Sequence, residues 1–198
     1  YLSQKESLIV ESKFLFEIYV KIANLYTLKL DVDKSIEFFE KALTIKPLDQ
    51  ESIERLEKLY LSSEKWENIV TFLSKIACSV EEISKKEEYL HRIGTIYEKR
   101  MLDDNNALEF YRKALLHNPK KLETIQSIRR ILEKKRDWNG TIDFLYKESR
   151  LTVDKERALV YLKIAKLWET KLKDIPNSVL AYLEMLKLSF NLETSEHL

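Results

Sequence analysis

The chain repeats one pattern three times at intervals of about 71 residues, at positions 19–26, 90–97 and 161–168. Each copy has a large residue at its start, a central isoleucine followed by alanine or glycine, and an aromatic residue at its end. A second segment follows each copy, with small and aromatic residues at helical spacing. Self-similarity at a fixed period indicates a stacked-repeat protein, in which function comes from an extended surface more often than from a catalytic pocket. The repeat therefore favours a binding scaffold.

Composition excludes several other classes of protein. The 34 basic and 33 acidic residues give a net charge of +1, which is not the basic field of a nucleic-acid-binding domain. No stretch resembles a membrane span or a signal peptide. The single cysteine, Cys78, cannot form an internal disulfide, and we expect it to be a small buried residue within a helix. These features favour a cytoplasmic protein.

Apolar residues recur at a spacing of three and four nearly throughout the chain, which predicts helices. Only 2 glycines and 3 prolines are present, so the helices should be long and the connections short. Polar or proline-containing breaks fall near residues 31–33, 46–49 and 62–65. We expect about ten helices, paired antiparallel. The predicted pairs span residues 14–47, 50–78, 81–119, 121–150 and 153–190.

The first, third and fifth pairs resemble the tetratricopeptide repeat, a pair of helices with small, aromatic and proline residues at set positions. The matching residues of the first pair are Tyr19, Ile22, Ala23, Tyr26, Ser35, Phe39, Ala42 and Pro47. Those of the third pair, which has one inserted residue, are Ile93, Gly94, Tyr97, Ala107, Tyr111, Ala114 and Pro119. Those of the fifth pair are Tyr161, Ile164, Ala165, Trp168, Ser178 and Tyr182. The resemblance implies an all-α, right-handed α-solenoid of five helix pairs, without catalytic activity.

The second and fourth pairs depart from the family pattern at its small residue. Glu57 and Arg129 stand at that position, so we expect these pairs to pack at a different angle or to keep the charge at an edge. The true repeat is then a double unit, one standard pair and one divergent pair. Both ends of the chain fall out of phase with this unit, since residues 1–4 align with residues 72–75 and a divergent pair should begin near residue 192. We expect an excerpt of a longer array.

The resemblance also places a ligand groove along the inner face of the first helix of each pair. Positions four residues apart share that face, which gives the pairs Val20 and Asn24, Glu54 and Lys58, His91 and Thr95, Gln126 and Arg130, and Leu162 and Lys166. The expected ligand contacts among these are Asn24, Lys58, His91, Arg130 and Lys166. The three cations would suit an acidic segment or a C-terminal carboxylate. Against this, Glu54 is placed to neutralise Lys58 within its own helix.

A chaperone-tail ligand is disfavoured, because only Asn24 and Arg92 conform to the family's carboxylate clamp, whereas Val20 and Glu88 do not. The three histidines lack metal-ligand spacing, and two scattered glycines cannot form a phosphate-binding loop, so no enzyme activity, metal or cofactor is expected.

A basic run from Arg112 to Arg136 could attract an acidic protein, RNA or a phospholipid headgroup, although acids on neighbouring helices more simply balance it. Two alternatives to peptide binding stay open. One is a structural spacer that self-associates through its ends around Leu8 to Phe16 and Tyr182 to Phe190, and the other, ranked low, is an RNA-binding helical repeat.

Overall fold

The computed structural model describes the backbone of residues 2–195 and the side chains of residues 11–153 and 155–189. Ten α-helices and no strand lie in residues 2–195, which confirms the predicted all-α fold. They are α1 (Leu2–Leu28), α2 (Val32–Ile45), α3 (Gln50–Ser62), α4 (Trp66–Ser79), α5 (Ile83–Ile96), α6 (Asp104–His117), α7 (Leu122–Lys134), α8 (Trp138–Ser149), α9 (Asp154–Leu167) and α10 (Ile175–Ser195). Two compact units divide them, unit 1 (Tyr1–Leu102) and unit 2 (Asp103–Leu198). Within each unit, every helix packs against the next one along the chain.

Small residues bring the two helices of a standard pair close together, as the family pattern predicts. Ala23 and Ser35 are fully buried, and the Ser35 hydroxyl donates a hydrogen bond of 3.0 Å to the Ala23 carbonyl on the facing helix. Ser178 and Ala165 form the same bond between α9 and α10 at 3.1 Å. The hydroxyl is therefore satisfied in the core without separating the helices.

The inserted residue of the third pair is taken up by a wider helical turn. Residues Tyr97–Met101 continue α5 as a π-helical turn, and Leu102 then adopts a left-handed conformation with a φ of 55°. The fifth pair has the same turn at Trp168–Leu172, followed by Lys173. The first pair lacks the extra residue, and α1 ends without such a turn. A π-helical turn holds one more residue than an α-helical turn at the same place, so the aromatic and small positions stay in register.

The terminal helices are longer than the repeat predicts. The alignment of residues 1–4 with 72–75 places them in a separate preceding helix, but α1 is continuous from Leu2 to Leu28. At the other end, α10 continues to Ser195 instead of ending near residue 189. No glycine or proline occurs in residues 1–28 or 177–195 to stop either helix. Tyr1 and residues 196–198 lie outside the described part of the chain.

The expectation for Cys78 was wrong, because its side chain is exposed. Cys78 lies in the last turn of α4, where Ile76, Ala77 and Val80 occupy the buried positions. Cys78 therefore lies on the face of α4 opposite the one that packs on the core.

Candidate functional site

In unit 1, the first helices of the pairs, α1, α3 and α5, are joined by polar side chains. Asn24 Oδ1 on α1 accepts a hydrogen bond of 2.7 Å from Arg55 Nη1 on α3. The same guanidinium group pairs with Glu51 at 2.8 Å. The side-chain carbonyl of Asn24 is thus occupied, and its amide nitrogen is the group that remains for a ligand.

A buried ion pair joins α3 to α5. Glu57 is buried, and its Oε2 pairs with Arg92 Nη2. Arg92 Nη1 also lies 3.8 Å from Glu88 Oε1. Burial lowers the pKa of Arg92, whereas the negative charge of Glu54 acts in the opposite direction. Arg92 and Asn24, the two residues that fit the carboxylate clamp, therefore both have partners within the chain.

Lys58 and His91 differ in how open they are. Lys58 is exposed on α3 and forms no hydrogen bond or ion pair with another described side chain. Glu54, which was expected to neutralise it, accepts a hydrogen bond of 2.9 Å from Gln50 instead. His91 is half-buried on α5, and its carbonyl accepts a bond from the Thr95 hydroxyl. Lys58 is thus the more accessible of the two side chains.

In unit 2, Arg130 on α7 and Lys166 on α9 are both exposed. Arg130 Nη2 lies 3.5 Å from the Ser127 hydroxyl. Gln126, which was expected to line the groove beside Arg130, donates a bond of 2.9 Å to Glu148 on α8. Arg130 and Lys166 are thus the exposed cations among the expected contacts of this unit.

Of the two alternatives for Glu57 and Arg129, a different packing angle or charge at an edge, the structure contradicts the second. Arg129 Nε lies 2.9 Å from Glu148 Oε2, and the two side chains are 17% and 6% exposed. Glu57 and Arg129 occupy the same position of the repeat and have opposite charges, and each is neutralised by a neighbouring helix. The partners lie 35 and 19 residues away, so no local pattern marks them.

The basic run between Arg112 and Arg136 is partly neutralised within unit 2. Lys113 pairs with Glu109 at 2.6 Å, and Lys134 pairs with Asp104 at 2.7 Å. Arg129 is held by Glu133 as well as Glu148. These pairs favour the balanced surface over a strip for RNA or phospholipid.

The described residues hold neither a cluster suited to a metal ion nor a membrane-spanning helix. They contain no group of three or more His, Cys, Asp or Glu side chains placed to hold a metal ion. Among the helices of this described part, none has the length and apolarity needed to cross a membrane. His197 lies outside the described residues.

Comparisons with known proteins show what this geometry is similar to. A family model described as tetratricopeptide repeat matches residues 16–47, which hold the second half of α1 and all of α2. No curated protein sequence matches the chain.

Solved structures share the fold over most of the chain. The MamA protein is 17% identical, with a TM-score of 0.55 over 91% of this chain and 94% of that chain. PilF of Pseudomonas aeruginosa is 14% identical, with a TM-score of 0.52 over 92% and 80%. YrrB, described as a tetratricopeptide protein with an unusual peptide-binding site, is 14% identical, with a TM-score of 0.51 over 90% and 89%.

Proposed function

Because the chain belongs to the tetratricopeptide-like helical-repeat superfamily, we propose that it is a non-catalytic scaffold that binds a peptide or protein segment on the exposed face of its first helices. The main support is a recurring position. The residue directly after the small-residue position of each pair is Asn24, Lys58, Thr95, Arg130 or Lys166. Three of these five are exposed cations, although the stacking of the helices does not require charge there. The peptide-binding site described for YrrB adds support by similarity of fold.

The proposed partner is an acidic segment. Lys58 has no anionic partner among the described side chains and is accessible to a carboxylate on unit 1, and Arg130 and Lys166 are exposed on unit 2. Arg130 can hold a carboxylate through two nitrogens, whereas the lysines act as point charges. The Asn24 amide and the His91 imidazole supply further hydrogen bonds on unit 1.

A defined peptide pair tests this proposal. A fluorescent peptide rich in glutamate and its lysine counterpart would be titrated against the chain and its variants by anisotropy. The triple substitution Lys58→Glu, Arg130→Glu and Lys166→Glu should abolish binding of the acidic peptide, since like charges then face each other. The control changes the exposed Lys99, Lys120 and Lys147 to Glu and should retain most of the affinity. Equal loss in both variants would reduce the effect to net charge and reject the site.

Self-association through the end helices is the second candidate. Val179 and Leu186 on α10 are 50% and 55% exposed, whereas the corresponding Ile36 and Leu43 on α2 are 6% and 7% exposed. On α1, Leu25 is 53% exposed. Such apolar faces favour association. The expected contacts at Leu8 to Val10 and at Phe190 lie outside the described side chains.

Light scattering across a wide concentration range decides this second candidate. A mass that rises with concentration, and that returns to the monomer in Val179→Asp, would support association through α10. A constant monomer would reject it.

A further inference from the structure

Unit 1 has a groove on the side of its second helices, away from the proposed ligand contacts on the first helices. It has a volume of about 650 Å³ and lies among α2, α4 and the end of α3. Its apolar lining comes from Leu43, Pro47, Phe72 and Ile76. A concave site of this size can hold several side chains of a bound segment.

Two carboxylates, Glu40 and Glu67, and one lysine, Lys75, line the same groove. Glu40 on α2 accepts a hydrogen bond from the Tyr60 hydroxyl, and Tyr60 is 2% exposed. Burial, with the nearby Glu40, raises the pKa of Tyr60, so the hydroxyl remains a donor at neutral pH. Among the described side chains, neither Glu40 nor Glu67 has a cationic partner. The Glu40 carboxylate is therefore fixed in position and its charge is not neutralised.

The corresponding positions of unit 2 show which of these residues the repeat itself requires. Phe72 and Lys75 recur as Phe144 and Lys147, 72 residues later in each case. Glu40, Tyr60 and Glu67 do not recur, because Arg112, Leu132 and Asn139 stand in their places. Glu40, Glu67 and Tyr60 are thus local to unit 1, and the repeat itself does not require them.

We propose that this groove docks a basic, partly apolar segment of another protein. A lysine or arginine of the segment pairs with Glu40 and Glu67, and an apolar neighbour packs on Phe72 and Leu43. Charge complementarity indicates a basic occupant, because a cation placed between the carboxylates of Glu40 and Glu67 is attracted to both. The apolar residues of the groove exclude water from this contact. The bond from Tyr60 holds Glu40 in place, which reduces the entropy lost on binding.

Two labelled amphipathic peptides serve as probes, one built of leucine and lysine and the other of leucine and glutamate in the same order. Anisotropy should show that the lysine peptide binds the native chain. Glu40→Gln with Glu67→Gln should weaken that binding about tenfold. The control, Glu54→Gln with Glu88→Gln, removes two exposed carboxylates from the first helices and should leave the affinity nearly unchanged. The thermal unfolding midpoint would confirm that each variant is folded.

A charge reversal sharpens the test. Glu40→Arg installs the residue that unit 2 carries at Arg112, and it should move the preference toward the glutamate peptide. Phe72→Ala should weaken binding of both peptides. Failure of the lysine peptide to bind the native chain would overturn the proposal. So would full binding to the Glu40 and Glu67 variant, or loss of binding in the Glu54 and Glu88 control alone.

Discussion

The two divergent helix pairs meet the same structural problem with opposite charges. In unit 1, Glu57 on α3 pairs with Arg92 on α5, the first helix of the next pair. In unit 2, Arg129 on α7 pairs with Glu148 on α8, the second helix of its own pair. The family pattern places a small residue at this position. The comparison shows that the fold tolerates a long charged side chain there as long as a neighbouring helix neutralises it, and that neither the sign of the charge nor the helix that supplies the partner is fixed.

The two pairs differ in how deeply they are buried. The side chains of Arg129 and Glu148 are 17% and 6% exposed, whereas those of Arg92 and Glu57 are 32% and 8% exposed. Gln126 donates a further hydrogen bond to Glu148. Because the penalty for an unpaired charge grows with burial, unit 2 should depend on its ion pair more than unit 1.

Among the single substitutions, the largest loss of stability is expected for Arg129→Met. The substitution keeps the volume of the side chain but leaves the carboxylate of Glu148 buried with Gln126 as its remaining side-chain partner, which should cost about 3 kcal/mol of unfolding free energy. Urea denaturation measures this cost. The double variant Arg129→Met with Glu148→Leu should recover most of the loss, since no charge is then buried. A cost near zero for the single variant would show that Glu148 reaches water.

Glu57→Leu should cost less, about 2 kcal/mol, because the partly exposed Arg92 can turn toward solvent or Glu88. The stability recovered in the double variant Glu57→Leu with Arg92→Met gives the coupling energy between the two residues through a double-mutant cycle. A larger cost here than for Arg129→Met would reverse the order that burial predicts. In that case the helix that supplies the partner, and not the exposure of the pair, would govern the energy.

The sequence predicts the parts of this structure that depend on local periodicity. The helix pattern and the small and aromatic positions, such as Ala23 and Phe39, follow from residues close together in the chain, and both side chains are at most 1% exposed. The ion pair of Glu57 with Arg92 joins residues 35 apart, and periodicity gives the face of a helix but not the charge that meets it. The groove at Glu40 and Tyr60 was missed for the same reason. The ligand contacts at Asn24, Lys58, His91, Arg130 and Lys166 remain predictions.

The second helices of the divergent pairs also start differently. Asp137 precedes α8, and its Oδ1 accepts a bond of 3.0 Å from the Gly140 amide. A Cβ at Gly140 would lie 2.6 Å from Asp137 Oδ2, so glycine leaves room for this cap. Lys65 precedes α4 at the matching position and forms no such cap.

Asp137→Ala should therefore cost about 1 kcal/mol in urea denaturation, and Lys65→Ala a few tenths. Gly140→Ala should lose part of the same cap, because the carboxylate must move away from the new methyl group. Equal costs at Asp137 and Lys65 would mean that the side-chain cap adds no stability to α8.

The smallest effect is expected for an insertion that gives the first pair the extra residue of the third and fifth pairs. One alanine inserted after Leu28 lengthens the first pair to the spacing of the third and fifth pairs. A π-helical turn at the end of α1 should accommodate the insertion at a cost of less than about 1 kcal/mol of unfolding free energy. The left-handed residue that ends such a turn is already present at Leu30. The same alanine inserted after Ala42, inside α2, has no such outlet. It would rotate Leu43 out of the core and should cost several kcal/mol by urea denaturation. Similar costs at the two sites would show that the π-helical turns arise from the particular residues at Tyr97–Met101 and Trp168–Leu172, and not from the length of the connection.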